Sequence, residues 1–188
     1  MTVREGLRPG GRSARIQESV HEAVNALLNE MPRDRITVST VATRANVTPS
    51  TIYRRWGHID SLLADVAVNR FHPESLPEDT GTLRGDLEAW AQAYQEEMSS
   101  APGRAMIRDV LAGTDVGGGG PASQCAAIAR AHIQILLDRA TGRNDSAPGA
   151  YDVMDMVVAP IMYRMLFDDK PLDPTFAVSR VNILLSAM

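Results

Sequence analysis

The sequence predicts an all-α fold of about nine helices, and three observations carry that prediction. Apolar residues recur three and four positions apart in segment after segment, the spacing that gathers them on one face of an α-helix. No stretch alternates apolar with polar residues as a half-buried strand would, and no internal repeat is found. Helix punctuation falls between the periodic segments: hydroxyl caps, prolines in first turns, and glycine or asparagine where helices stop.

Taken in order, Gly10 and Gly11 separate a basic N-terminal arm from a helix that Ser13 can cap, with Ile16, Val20, Ala23, Val24, Leu27 and Met31 on one side. Pro32 stops it. A short second helix, capped by Thr37 or Ser39, gathers Val38, Val41, Ala42 and Ala45. Asn46 interrupts it, because asparagine tolerates the left-handed backbone of a tight turn. Thr48-Pro49, a cap followed by a first-turn proline, starts a third helix that ends near Trp56 and is closed by Gly57. Ile59, Leu62, Leu63, Val66 and Phe71 mark a fourth. The proline-bearing stretch HPESLPEDTG then reads as a boundary, predicting an N-terminal three-helix helix-turn-helix domain over 1–72 and an antiparallel helical domain over 73–188. In the second part Leu83, Leu87, Trp90, Tyr94 and Met98 mark one helix, Met106 to Leu111 a shorter one, and Cys125 to Ala140 a long one. Tyr151 to Phe167 is apolar nearly all round, and a last helix starts near Pro174.

Composition narrows the function classes. A lone cysteine, Cys125, excludes an intrachain disulfide framework and suits a reducing compartment. The N-terminus lacks the apolar run of a secretory signal, and no segment approaches the roughly 20 apolar residues of a membrane span. The expectation is a soluble, cytoplasmic chain without membrane association. The net charge of −4 conceals an asymmetry: residues 1–60 hold nine arginines against six acidic residues, while the remainder is strongly acidic. A basic N-terminal unit on an acidic body is the pattern of a nucleic-acid reader joined to something else. Enzyme chemistry finds little support. The run GGGGP lacks phosphate-loop spacing, Cys125 and His132 stand too far apart along one helix to pair as nucleophile and base, and no residue cluster has metal-ligand spacing. No catalytic residue, metal or cofactor is expected.

Two short helices joined at Asn46, the second carrying Arg54 and Arg55, fit a helix-turn-helix. Ala42, Ala45 and Val47 are small enough for close approach, and Thr51, Ile52 and Trp56 fall on the inward face. Thr48, Pro49 and Ser50 then project toward base edges in a major groove. Arg55, His58 and the helix N-termini are placed for phosphates. The stretch ITVSTVATRANVTPSTIYRRWGHIDSLLADV, Ile36 to Val66, resembles the N-terminal signature of the TetR family of transcriptional regulators, T-x-x-x-I/V-A-x-x-A-G-V-S-x-x-T-L-Y-x-H-F-x-S-K-E-x-L. Thr37, Val41, Ala42, Ala45, Val47, Thr48, Thr51, Ile52, Tyr53, Trp56 and Leu62 fall on it in register. The signature's turn glycine is Asn46 here, and the phosphate-holding lysine that opens its fourth helix is Ile59. The resemblance implies base-reading roles for Ser39, Pro49, Ser50 and Tyr53, phosphate contacts for Thr37, Thr40, Tyr53 and Arg55, and either role for Arg54.

A reader this small acts as a dimer on a near-palindrome. An all-round apolar helix is central or shared with a partner. Met154, Val157, Val158, Ile161, Met162 and Met165, with Val181, Leu184 and Leu185 of the last helix, are therefore expected at a homodimer interface, the four-helix arrangement the resemblance implies. Pro160 predicts a kink or break. Trp90, Tyr94, Met98, Met106, Ile128, His132 and Leu136 are the expected lining of a cavity for a small apolar effector. The resulting expectation is a homodimeric repressor of a near-palindromic double-stranded DNA operator, its readers about 34 Å apart in successive major grooves and released by that effector.

Overall fold

The computed structural model of the chain describes residues 11–70, 76–113, 120–168 and 170–188. Among these residues every regular element is helical: α1 (Arg12–Glu30), a 3-10 turn (Arg33–Arg35), α2 (Val38–Arg44), α3 (Pro49–Trp56), α4 (Ile59–Arg70), α5 (Leu83–Ser99), α6 (Ala101–Ala112) and α7 (Pro121–Gly142). Next, α8 (Ala150–Val153) runs through a π-helical turn (Met154–Val158) directly into α9 (Ala159–Phe167), and α10 (Phe176–Ser186) completes the set. Phe71, the expected boundary at 72/73 and the arm arginines Arg4 and Arg8 lie outside the described residues.

The first core is built by α1 to α4. Val20 and Val24 of α1, Val41 of α2, Ile52 of α3 and Leu62 of α4 are fully buried together. The turn between α2 and α3 has the predicted cause: Asn46 sits at φ +54°, and the Val47 amide donates to the Ala42 carbonyl at 3.0 Å. Thr37 caps α2 in a reciprocal box, its hydroxyl accepting from the Thr40 amide at 3.2 Å while Thr40 Oγ1 accepts from the Thr37 amide at 2.9 Å. Gly57, at φ +78°, closes α3 in a conformation that disfavours any side chain. The first helix differs from expectation: Gly11 is its N-cap, without a side-chain cap, and Ser13 has another partner described below.

The second core joins α5, α7, the α8–α9 rod and α10 through Leu87, Ile133, Leu136, Val153, Val157, Ile161 and Val181, all fully buried. The rod does not break at Pro160. Proline lacks an N–H, so the Met156 carbonyl four residues back has no helical donor. The Arg180 Nε of α10 supplies one at 2.9 Å, and the Ala159 amide reaches past the usual partner to the Met154 carbonyl, which makes the wide turn.

The two cores meet where α6 crosses α4. At Gly113 an added Cβ would lie 2.5 Å from the Ala64 Cβ and 2.7 Å from the Asp60 carbonyl oxygen, so only glycine permits this approach. Arg33 ties the junction electrostatically, its Nε donating to Asp109 of α6 and its Nη2 to Asp60 of α4 at 3.1 Å.

Candidate nucleic-acid interface and cavities

The inner side of α3 is held from three directions. Ile52 is in the core, and Trp56 Nε1 donates to Asp65 Oδ2 of α4 at 2.8 Å. His21 Nε2 of α1 meets the same oxygen at 2.9 Å. Burial pushes the Asp65 carboxyl up, but the hydrogen bonds from His21 and Trp56 and the nearby Arg55 charge outweigh it and hold the group below its ordinary value. Arg55 stacks over the Trp56 ring at 5.2 Å. It also donates to the Ser13 carbonyl at 3.1 Å, to Ser13 Oγ at 2.8 Å and to Gln17 Oε1 of α1.

The outer side of α3 carries Pro49, Ser50, Tyr53 and Arg54, all exposed, with Tyr53 at 54%. Thr37 and Ser39 are exposed at the start of α2, and Thr40 is half-buried. Thr48 does not cap α3 through its hydroxyl; Thr48 Oγ1 lies 2.9 Å from both Ser50 Oγ and Thr51 Oγ1. Arg55 and His58, expected at phosphates, have partners inside the chain. His58 caps α4, its Nδ1 accepting from the Ser61 amide at 3.3 Å while Nε2 lies 3.0 Å from Ser61 Oγ. Arg44, which the sequence reading did not single out, forms a two-pronged pair with Glu30 across α1 and α2.

Three voids line up along α5 and α6. A groove of about 250 Å3 between α5 and α7 is lined by Trp90, Tyr94, Glu97, Ala129 and His132, with Leu76 to Glu78 at its side. An almost wholly apolar cavity of about 210 Å3 lies behind it, among Tyr94, Met98, Met106, Cys125, Met154 and Met162. A cleft of about 450 Å3 follows where α1 and α4 meet α6, lined by Leu28, Leu63, Val66, Met98, Met106 and Asp109. Tyr94 and Ala129 wall the groove from the cavity, and Met98 and Met106 wall the cavity from the cleft. Burial pushes the Tyr94 hydroxyl and the Cys125 thiol up, so both are neutral. Two of the expected lining residues are corrected: Leu136 is fully buried in the second core, and Ile128 packs with Ala67, Val68 and Val110. Ala129, the shared wall, carries no signal that could mark it in the sequence.

Six of the nine expected interface residues are buried within the chain itself. Val157, Ile161 and Val181 are fully buried, and Val158, Met165 and Leu184 nearly so. Met154, Met162 and Leu185 pack half-buried against the same core. The first six serve the chain's own interior, while Met154, Met162 and Leu185 keep part of their surface free of it. Outside the rod stand Tyr151, Asp155, Ala159, Tyr163 and Phe167, and Ile183 of α10 is exposed as well. The Tyr163 and Phe167 rings lie 5.1 Å apart.

A locked helix-turn-helix with an exposed polar face, joined to a hollow helical body, defines the class of helix-turn-helix transcriptional regulators. Residues 77–184, more than half the chain, match the family described as tetracyclin repressor-like, C-terminal domain. The chain is 33% identical over 110 residues to the HTH-type transcriptional regulator AqdR of Rhodococcus erythropolis, covering 58% of this chain and 53% of that one. It thus spans about half the length of this relative. An HTH-type transcriptional regulator of Mycobacterium tuberculosis is 27% identical over 153 residues, 77% of this chain and 73% of its own. Two solved structures share the fold over 93% of this chain and 98% of theirs: the TetR family transcription regulator SCO0332, at TM-score 0.70 and 23% identity, and a TetR transcriptional regulator from Rhodococcus sp. RHA1, at 0.60 and 16%. The chain belongs to the TetR family of transcriptional regulators. No helix among the described residues is long and apolar enough to cross a membrane.

Proposed function

We propose that the chain is a homodimeric repressor whose readers, residues 1–72, hold a near-palindromic DNA operator and release it when a small molecule enters the body, residues 73–188. The observation that carries this reading is the physical continuity from cavity to reader: Met106 of α6 lines both the apolar cavity and the cleft, and the cleft is walled on its far side by α1 and α4. A ligand that turns Met98 or Met106 would join cavity to cleft and press on α4, which holds Trp56 and hence α3. Only a ligand with different affinities for the two arrangements shifts the balance between them.

On DNA, Ser39, Pro49, Ser50, Tyr53 and Arg54 are assigned to base edges, and Thr37, Thr40 and Thr48 to the backbone near the helix starts. Arg55 and His58 keep α3 and α4 in place from within. For the homodimer, the exposed row Tyr151, Tyr163 and Phe167 with Ile183 replaces the buried residues that apolarity alone suggested. The test is fluorescence anisotropy of the full chain on the intergenic DNA flanking its own gene, against scrambled DNA, across salt. A preference for the flanking DNA, with log affinity falling by about 0.9 per log unit of salt for each phosphate neutralised, is expected. Equal, weak binding to both would sink the proposal. Sedimentation of Tyr163→Arg tests the interface, since a variant that stays dimeric removes this row from it.

A further inference from the structure

We propose that the groove between α5 and α7 is a site for small organic cations, the apolar body lying on the Trp90–Tyr94 stack and the positive group facing the carboxylates of Glu97 and Glu78. This rests on the reading that the body takes a small-molecule effector, and places that molecule in the groove that Tyr94 and Ala129 wall from the apolar cavity. Trp90 and Tyr94 stand one turn apart on α5 with ring centroids 5.3 Å apart and planes 23° from parallel, an offset stack of two rings that both line the groove. Ring faces carry negative potential and attract a cation placed within about 6 Å. Ala89, Ala93 and Ala129 are too small to cover this surface.

The lining holds two acidic residues, one histidine, His132, and no lysine or arginine. The acidic pair is Glu78 and Glu97. Arg139 lies outside the lining, where its Nη1 donates to the Pro77 and Glu78 carbonyls, each at 2.9 Å, and fixes that segment at the groove's side. Among the described residues the Glu97 side chain has neither a hydrogen bond nor an ion pair, and burial pushes its carboxyl up. A bound cation supplies the partner it lacks, whereas an anion meets two carboxylates and two ring faces. The volume, about 250 Å3, lies below the about 300 Å3 at which drug-sized sites begin. The ligand is therefore a single ring or short chain bearing an ammonium group.

The experiment compares phenyltrimethylammonium with its neutral carbon isostere, tert-butylbenzene, by titration calorimetry on the full chain. The ammonium compound is expected to bind at least tenfold tighter. Glu97→Gln, at an exposed position, and Trp90→Leu should each weaken it at least fivefold with the circular dichroism spectrum unchanged. Equal affinity for the two compounds, no binding at millimolar concentration, or an unaffected Glu97→Gln variant overturns the proposal. The parent reading fails separately. Ammonium binding that leaves operator affinity unchanged keeps the cation site and removes its regulatory role. Operator release by a neutral compound, without ammonium binding, keeps the effector reading and removes the cation site.

Discussion

Replacing Arg33 with methionine isolates the electrostatic tie between the reader and the body. Its guanidinium donates to Asp60 and to Asp109, and the two arms differ in surroundings. The Arg33 and Asp60 side chains are each 42% exposed, so that arm contributes less than about 1 kcal/mol. The Asp109 side chain is only 9% exposed, and a hydrogen bond between charged groups there contributes about 1.5–3 kcal/mol. Methionine keeps most of the stem's packing while leaving the Asp109 carboxylate without its cation. The expected loss is about 2 kcal/mol. Urea unfolding at fixed protein concentration reads it directly: with a slope near 2 kcal/mol per molar, the midpoint falls by about 1 M. A cycle with Asp109→Asn should show a coupling of about 1.5 kcal/mol, and the matching cycle with Asp60→Asn much less. Purely additive effects of Arg33→Met and Asp109→Asn, within about 0.3 kcal/mol, would refute the assignment.

Other substitutions probe other contacts. Gly113→Ala drives a Cβ against Ala64 and the Asp60 carbonyl, costing about 2 kcal/mol and lowering the melting temperature by about 4–8 °C; an unchanged melting curve would mean that the α4–α6 approach is looser than described. Burial pushes the Asp86 carboxyl up, but hydrogen bonds from Thr80 and Arg143 hold it below its ordinary value. With the folded value the lower of the two, this stabilisation is complete above about pH 3.9 and lost as pH falls through the folded value. Asp86→Asn should flatten the acid limb of denaturant midpoint against pH, and parallel limbs would contradict the linkage. Tyr53→Ala, at an exposed position, should leave stability within about 0.5 kcal/mol while weakening operator binding about tenfold. Arg55→Ala, which severs three bonds to α1, should lower stability and binding together; the opposite division between the two variants would reverse their roles.

Legibility in the sequence followed the range of the interaction. The α2–α3 turn was readable because Asn46 and Pro49 act on their own backbone within a few residues, and the resemblance across Ile36 to Val66 covers that local stretch. Arg55 was not readable in the same way. Its partners Ser13 and Gln17 lie about forty positions away and are brought to it only by the packing of α1 on α3. The cavity lining was partly legible, since Trp90, Tyr94, Met98 and Met106 do line the voids, but Leu136 has the same helical spacing and points to the core. The Tyr151–Phe167 segment was hardest. An all-round apolar helix says that two sides are wanted, yet not which side the chain keeps for itself, and its own core took Val153, Val157, Val158, Ile161 and Met165 while Tyr151, Tyr163 and Phe167 stayed outside with Leu166.

The wide turn in that segment has a consequence for what insertions and deletions would do. Val153, Val157, Ile161 and Met165 are buried, and Tyr151, Asp155, Ala159 and Tyr163 are exposed, each row stepping by strict fours. On an ordinary α-helix four residues overshoot one turn by about 40°, so three steps would carry a row about 120° around the axis. The extra residue in Met154–Val158 takes up most of that excess and re-phases the rod midway, as a leap day re-phases a calendar. Deleting one residue there would rotate one end against the other by about 100°. Tyr163 would swing toward the interior or Val153 toward water, in a helix whose composition had scarcely changed.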